Sequence, residues 1–302
     1  MVLFVNEKNI KGDLKMNKDL ITLHTAVLLF GLSGLFGKLI EVPTLIIVSG
    51  RVIFASIFLY IVLKIKKEKI EITSLTSKKI MLIQGTLLFL HWFSFFQAIK
   101  LSSVALGLLS FSSFPVFTTF MEPIFFKRKL EKEKIITAII TFIGISMVIP
   151  LKEVDSKMLG GIGMGIFSGF SFAVLAIMNK KFSSSISGIK LTFYQCLGAS
   201  FWSIPILFLW NKVPSIRDIF LIILLGVVFT GIAHTLFVIS LREISASTAS
   251  VTACLEPVYG IIFASFILGE IPSLKIIFGG SIIILAAILS TKTKKIKEQS
   301  IL

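Results

Sequence analysis

Residues 43–63 read PTLIIVSGRVIFASIFLYIVL, 21 residues with a single charge, Arg51. About 20 apolar residues make a helix long enough to cross the roughly 30 Å hydrocarbon core of a bilayer. A helix in a soluble domain carries one apolar stripe instead of being apolar all round. Nine more runs of this kind occur, so the full set is 19–39, 43–63, 80–99, 102–126, 134–151, 158–178, 189–210, 217–239, 244–268 and 273–291. The chain of 302 residues is 55% hydrophobic and only 16% charged, with mean hydropathy +0.95, which leaves too little polar surface for a soluble fold. The pattern predicts an all-α membrane protein of ten transmembrane helices. Residues 1–18 form an N-terminal tail whose Lys8, Lys11, Lys15 and Lys18 are too many charges for the apolar region of a signal peptide. The first run is followed at once by a second, so it reads as a span. Met16 offers a second start, which would make residues 1–15 a dispensable extension.

The formal net charge is +15, and its placement matters more than its size. Lys and Arg concentrate in cytoplasmic loops and set the orientation of a membrane protein. One alternating set of connectors comprises the N-terminal tail, 64–79, 127–134, 180–190, Arg242 and the tail 292–302. That set carries 23 of the 31 Lys and Arg. The other set (Lys38, Lys100, Lys152, Lys157, Lys212, Arg217, Lys275) carries 7. Both termini are therefore expected in the cytoplasm, with the chain in the cell membrane. No basic groove interleaved with aromatic residues is present, so no nucleic-acid partner is expected. Cys196 and Cys254 lie inside spans without metal-site spacing and read as packing residues. Neither a cofactor nor a metal is expected.

Displaced by 142 residues, the third-to-fifth runs fall on the eighth-to-tenth without a gap. Ser103 lands on Ser245, Ala105 on Ser247, Gly107 on Ala249, Ser110 on Thr252 and Pro115 on Pro257. A looser match at 138 places Gly31 and Ser33 on Gly169 and Ser171. The chain thus reads as two five-span halves, 19–151 and 158–291. Five is odd, so the halves enter the membrane from opposite sides and form inverted repeats. Such repeats recur in secondary transporters, where the site lies near the midplane between the halves.

The residues Phe30-Gly31-Leu32-Ser33, Gly50-Arg51, Ser103-Val104-Ala105 leading to Phe114-Pro115-Val116-Phe117, and Ser245-Ala246-Ser247 through Glu256-Pro257 to Gly269-Glu270 carry a resemblance. Together they resemble the drug/metabolite transporter superfamily in its ten-span EamA-type branch. The resemblance covers nearly all of 19–291. It implies carriage of a small organic metabolite, amino acids or related compounds first, with export as the direction. One departure stands out: Lys127-Arg128-Lys129 occupies the place matching Gly269-Glu270, where the family usually shows an acid.

Ionisable residues inside the runs are few: Arg51, His91, His234 and Glu256, with His24 and Glu122 nearer the ends. A charge within a membrane is costly and marks a functional candidate by default. Glu256 stands near the midplane beside Pro257, positioned to exchange a proton during turnover or to touch substrate; a structural acid paired with Arg or His is the alternative. Arg51 is either a substrate contact or a fixed partner orienting two helices. His91 and His234 occupy nearly matched places, and histidine titrates in the useful range; a packed hydrogen-bonding role is the alternative for each. Trp92 and Tyr259 could wall a cavity. Ser110 and Thr252 could line it or simply bond a carbonyl one turn back. Pro115 and Pro257 are hinge candidates, since each lacks a backbone N–H within its run. Glu122, one turn from Lys127 and Arg128, reads as interfacial. The glycines 161, 165 and 169 with Ala173 form a ladder for close helix approach.

These features favour a secondary active transporter working by alternating access, possible coupling being to protons. A nucleotide-sugar or sugar-phosphate carrier is the rival within transport. Phosphate calls for convergent cations, and the interior offers only Arg51, although a paired site near Lys38 or Lys100 stays open. No phosphate-binding loop of the Gly-Lys-Ser/Thr kind, His-Glu-x-x-His or Gly-x-Ser-x-Gly occurs, which disfavours an ATP-driven pump or a membrane enzyme. A channel or scaffold is the remaining class. Small-molecule substrate and lipid bilayer are the expected partners; monomer and homodimer are equally compatible with the sequence.

Overall fold

The computed structural model describes residues 7–148, 155–208, 214–282 and 285–286. The described residues are helices joined by short turns and irregular connectors, with no strand among them. We label them α1 (Glu7–Ser33, extended by the turn Phe36–Leu39), α2 (Thr44–Ile65), α3 (Leu75–Leu101), α4 (Val104–Phe111), α5 (Phe114–Phe126) and α6 (Lys132–Val148). The second half supplies α7 (Ser156–Phe182), α8 (Gly188–Phe208), α9 (Ile216–Ser240), α10 (Ala246–Ala253) and α11 (Glu256–Leu268). Helical residues 274–282 follow.

Seven helices among the described residues are long and apolar enough to cross a membrane: Lys18–Leu39, Thr44–Ile65, Leu75–Leu101, Val104–Phe126, Ser156–Phe182, Ile216–Ser240 and Ala246–Leu268. They coincide with seven of the ten expected spans. The other three runs are helical where described but do not join that set. In α6 the apolar part is only Ile135–Gly144. Along α8 the apolar residues are interrupted by Lys190, Thr192, Gln195 and Ser200. The last run ends in residues outside those described, as do the tail 292–302 and residues 149–154. Large apolar side chains such as Ile57, Phe120, Phe220 and Phe266 stand exposed on the outer faces. In water so much exposed apolar surface would drive association; against lipid tails it costs nothing.

The offset of 142 read from the sequence reappears in the backbone. The ends of α4 and α5 at 104, 111, 114 and 126 correspond to those of α10 and α11 at 246, 253, 256 and 268. Ser103 caps α4 by accepting from the Leu106 N–H, and Ser245 caps α10 by accepting from that of Thr248. An N-cap hydroxyl satisfies one of the orphan donors of a first turn. Lys127 and Gly269, which follow α5 and α11, are both left-handed, at φ 52° and 70°. That conformation suits glycine and is strained for lysine.

Pro115 and Pro257 each stand second in a helix, directly after the break. Proline is tolerated in a first turn because its missing N–H would be unpaired there anyway. The breaks therefore lie at Ser112-Ser113 and Cys254-Leu255, just ahead of the prolines. Pro123 and Pro205, by contrast, lie inside α5 and α8.

Packing crosses between the halves. α7 lies against α3, α4 and α5, and α1 lies against α9, α10 and α11. α2 packs on α8, α5 on α10, and α4 on α11. The small-residue ladder of α7 permits its approach. A Cβ at Gly165 would stand 2.5 Å from the Cβ of Ser110, and one at Gly169 would stand 2.8 Å from the Phe111 carbonyl oxygen. Gly31 on α1 is the counterpart, facing the Glu256 carbonyl oxygen at 2.8 Å.

Candidate functional site

Arg51 on α2 is wholly buried. Its Nε donates to Thr230 Oγ1 at 2.9 Å, and its Nη2 leans toward the Phe229 carbonyl at 3.5 Å. Both partners belong to Val227–Ile232, a π-helical turn within α9. Such widened turns redirect groups that an α-helix would keep paired within itself. Here Thr230 Oγ1 also donates to the Leu225 carbonyl, five residues back, at 2.9 Å. Gly226 makes the approach possible, since a Cβ there would lie 2.8 Å from the Arg51 carbonyl oxygen. The guanidinium carbon stands 3.4 Å from the centroid of the Trp92 ring and 5.1 Å from that of Phe96. Attraction between cation and ring face offsets part of the cost of burying the charge. Arg51 Nη1 and Trp92 Nε1 have no hydrogen-bond partner among the described residues.

Around this pair four helices contribute rings. Trp92 on α3 meets Phe30 of α1 and His234 of α9, each at 6.5 Å between centroids. Phe30 meets Phe172 of α7 at 6.5 Å and Phe237 of α9 at 5.7 Å. His91 lies 4.5 Å from Trp92, with Nδ1 bonded to Ser168 Oγ at 2.9 Å. His234 Nε2 bonds Gln195 Oε1 at 3.0 Å. The Gln195 amide in turn donates to Gln84 Oε1 at 2.6 Å and to Asn179 Oδ1. Gln84, Asn179 and Gln195 are buried, and sequence reading missed them. Neutral amides attract no notice in an apolar run; the Gln84 and Asn179 oxygens are paired, while their amide nitrogens have no partner among the described residues.

Glu256 opens α11 and is buried. It lies within electrostatic reach of Arg51 without forming an ion pair among the described residues. Tyr259, one turn on, packs its Cβ toward Gly31. Arg51, His91, Trp92, His234 and Glu256 are each at most 3% exposed, so the structure holds this centre shut. Ser110 and Thr252 are turned onto their own helices, donating to the carbonyls of Leu106 at 2.7 Å and Thr248 at 3.1 Å.

Two further acids close the ends. Glu122, read from the sequence as interfacial, is 4% exposed; its two oxygens accept from the Ala246 and Ser247 N–H groups, both at 2.9 Å. Those are the first donors of α10, which the helix itself cannot satisfy. At the opposite end Glu270 Oε2 accepts from the Val104 N–H, the first donor of α4, at 3.2 Å. The acid absent at 127–129 is thus replaced by one a turn and a half earlier, inside α5. Lys38 Nζ donates to the Ser102 carbonyl at 2.8 Å, and Lys100 Nζ to the carbonyls of Ile40 at 3.3 Å and Val42. These two ammonium groups hold connectors in place. Among the described residues no group of three or more His, Cys, Asp or Glu could hold a metal ion.

The model of the EamA-like transporter family matches twice, over 18–149 and 159–292. A protein named S-adenosylmethionine uptake transporter from Rickettsia bellii (strain RML369-C) is 27% identical over 71% of this chain and 72% of its own length. Its namesake from Rickettsia conorii (strain ATCC VR-613 / Malish 7) is 28% identical over 67% and 68%. An uncharacterized transporter, YxxF, of Bacillus subtilis (strain 168) is 24% identical over 84% and 83%. A solved crystal structure superposes with a TM-score of 0.72 at 16% identity, covering 91% of this chain and 98% of the other. That likeness concerns the fold alone.

Proposed function

We propose, from the premise that this chain belongs to the EamA-like transporter family, that it is a secondary active carrier of a small organic metabolite working by alternating access. It is a membrane transporter and not an enzyme. Ten spans form two inverted five-helix repeats, 19–151 and 158–291, with both termini cytoplasmic. The observation that carries this reading is the matched pair of broken spans. α4 and α5, and α10 and α11, end at the same places 142 residues apart and pack across the halves, α4 on α11 and α5 on α10. Broken helices at corresponding places of two repeats point to the transport pathway. The breaks beside Pro115 and Pro257 serve as hinges.

Amino acids and their derivatives are the favoured cargo. S-adenosylmethionine, which names the Rickettsia relatives, is an amino-acid derivative and belongs among the first compounds to test. Export follows from the resemblance and uptake from those relatives' names. A carrier is reversible, so the two differ only in which gradient prevails. Arg51, Trp92 and Tyr259 contact substrate, Glu256 carries the coupling proton, and His91 and His234 tune the site through Ser168 and Gln195. A sugar-phosphate cargo is disfavoured, because Lys38 and Lys100 spend their ammonium groups on carbonyls.

Counterflow in proteoliposomes tests the reading. Vesicles loaded with unlabelled S-adenosylmethionine, leucine, methionine or phenylalanine should transiently accumulate the labelled compound for at least one cargo. Leakage without accumulation would mean a channel, and an unchanged label distribution for every cargo would remove amino-acid carriage.

A further inference from the structure

We propose that Arg51 and Trp92 together anchor the carboxylate of the transported molecule, and that the cargo is therefore a monocarboxylate with an apolar body. The inference rests on the carrier reading above and adds the chemistry of the cargo. Arg51 is held on three sides: by Thr230 at Nε, by the Phe229 carbonyl near Nη2, and by the Trp92 face at 3.4 Å. Its guanidinium therefore has one orientation, and Nη1 is the nitrogen left without a partner among the described residues. Trp92, in contact with it, has its own indole N–H unpaired. A buried unpaired charge costs far more than a buried unpaired amide. Two unpartnered donors on side chains in face-to-ring contact call for an acceptor group that carries negative charge.

The size of that charge follows from the donor set. A guanidinium donates to carboxylate oxygens along fixed directions in its plane, here from Nη1, whereas phosphate draws several cations. Among the described residues Arg51 is the one cation of this centre, and its unpartnered neighbours, Trp92 Nε1 and His234 Nδ1, belong to neutral rings, which fits a monoanion. Glu256 does not fill the role, since no ion pair joins it to Arg51 among the described residues. The nearest apolar surface is Phe30, Phe172 and Phe237, packed on one another with centroids 5.2–6.5 Å apart, rings that part to admit the rest of the ligand when the site opens. Those walls suit an aliphatic, thioether or aromatic body.

The test uses the purified full chain in detergent and reads thermal stabilisation by L-leucine, L-methionine, L-phenylalanine and 3-phenylpropionate, each beside its carboxamide. A ligand that binds only the folded state raises its apparent stability. At least one acid should bind on the order of 10- to 100-fold tighter than its amide, the range of a charge-assisted buried bond. Arg51→Gln should abolish that preference and Arg51→Lys should restore part of it. If Arg51→Gln fails to fold, Trp92→Phe decides: it keeps the ring, loses the donor, and should cut the preference several-fold. Equal or absent binding of acid and amide in every pair overturns the anchor, as does a full preference in Trp92→Phe or Arg51→Gln. Counterflow without any acid preference would overturn the anchor alone; absence of counterflow for all cargoes would count against the carrier reading itself.

Discussion

Glu256→Gln is the replacement that separates proton coupling from substrate passage. Glutamine keeps the volume and fixes the group as neutral, so the variant should insert normally yet lose uphill transport driven by a pH gradient. Exchange should persist, and substrate affinity should lose its dependence on pH, because binding and protonation are linked at a shared site. Uphill transport at the wild-type rate in proteoliposomes would take Glu256 out of the mechanism. Arg51, His91, His234 and Glu256 were legible in the sequence because an ionisable group in an apolar run is conspicuous. The tie between Arg51 and Trp92 was not, since 41 positions separate them and only the fold lays one over the other. Ser110 and Thr252 stood out for their matched places, which reflect helix packing: each hydroxyl bonds its own helix.

Elements meet at their first turns, and there the two closing acids differ. Glu122 is buried with two bonds at 2.9 Å, whereas Glu270 is half-buried with one at 3.2 Å. Loss of acceptors for buried donors costs about 1–3 kcal/mol each. Glu122→Ala should therefore lower the melting temperature clearly more than Glu270→Ala, as read by the fluorescence of a thiol-reactive dye during heating. Equal losses would show that the Glu122 bonds carry no special weight. A second contrast concerns α7. Gly165→Ala would drive a methyl into Ser110 and separate α7 from α4, whereas a Cβ at Gly163 meets nothing within 4 Å. The first should destabilise and the second should be neutral or stabilising by about 0.5–1 kcal/mol, the helix preference of alanine over glycine. The ladder could be read from spacing alone. That Gly163 lies outside it also follows from spacing, but the identity of the opposing surface required the structure. The π-helical turns left no trace in the sequence, since they depend on what packs against them.

For the whole molecule, orientation is the first quantity to measure. In a background lacking Cys196 and Cys254, Glu41→Cys should react with an impermeant maleimide in intact cells, and Lys67→Cys should react only after lysis. The reverse pattern would turn the molecule over. Deleting residues 1–15 should leave insertion and transport unchanged, and a large loss of inserted protein would give the extension a role. Apolar runs made the helices legible, and the offset of 142 made their correspondence legible. The crossing of the halves was hidden, because a repeat in one dimension does not say which copy each helix touches. That crossing sets a schedule for biosynthesis. α1 emerges from the ribosome about 200 residues before α9 to α11, an interval on the order of 10–40 s at typical rates of synthesis. Throughout it, Gly31 lacks its α11 surface and Phe30 can meet Trp92 and Phe172 but not Phe237. A gene divided between residues 151 and 158 should thus give two fragments that are each degraded when made alone and that rescue one another when translated in the same cell.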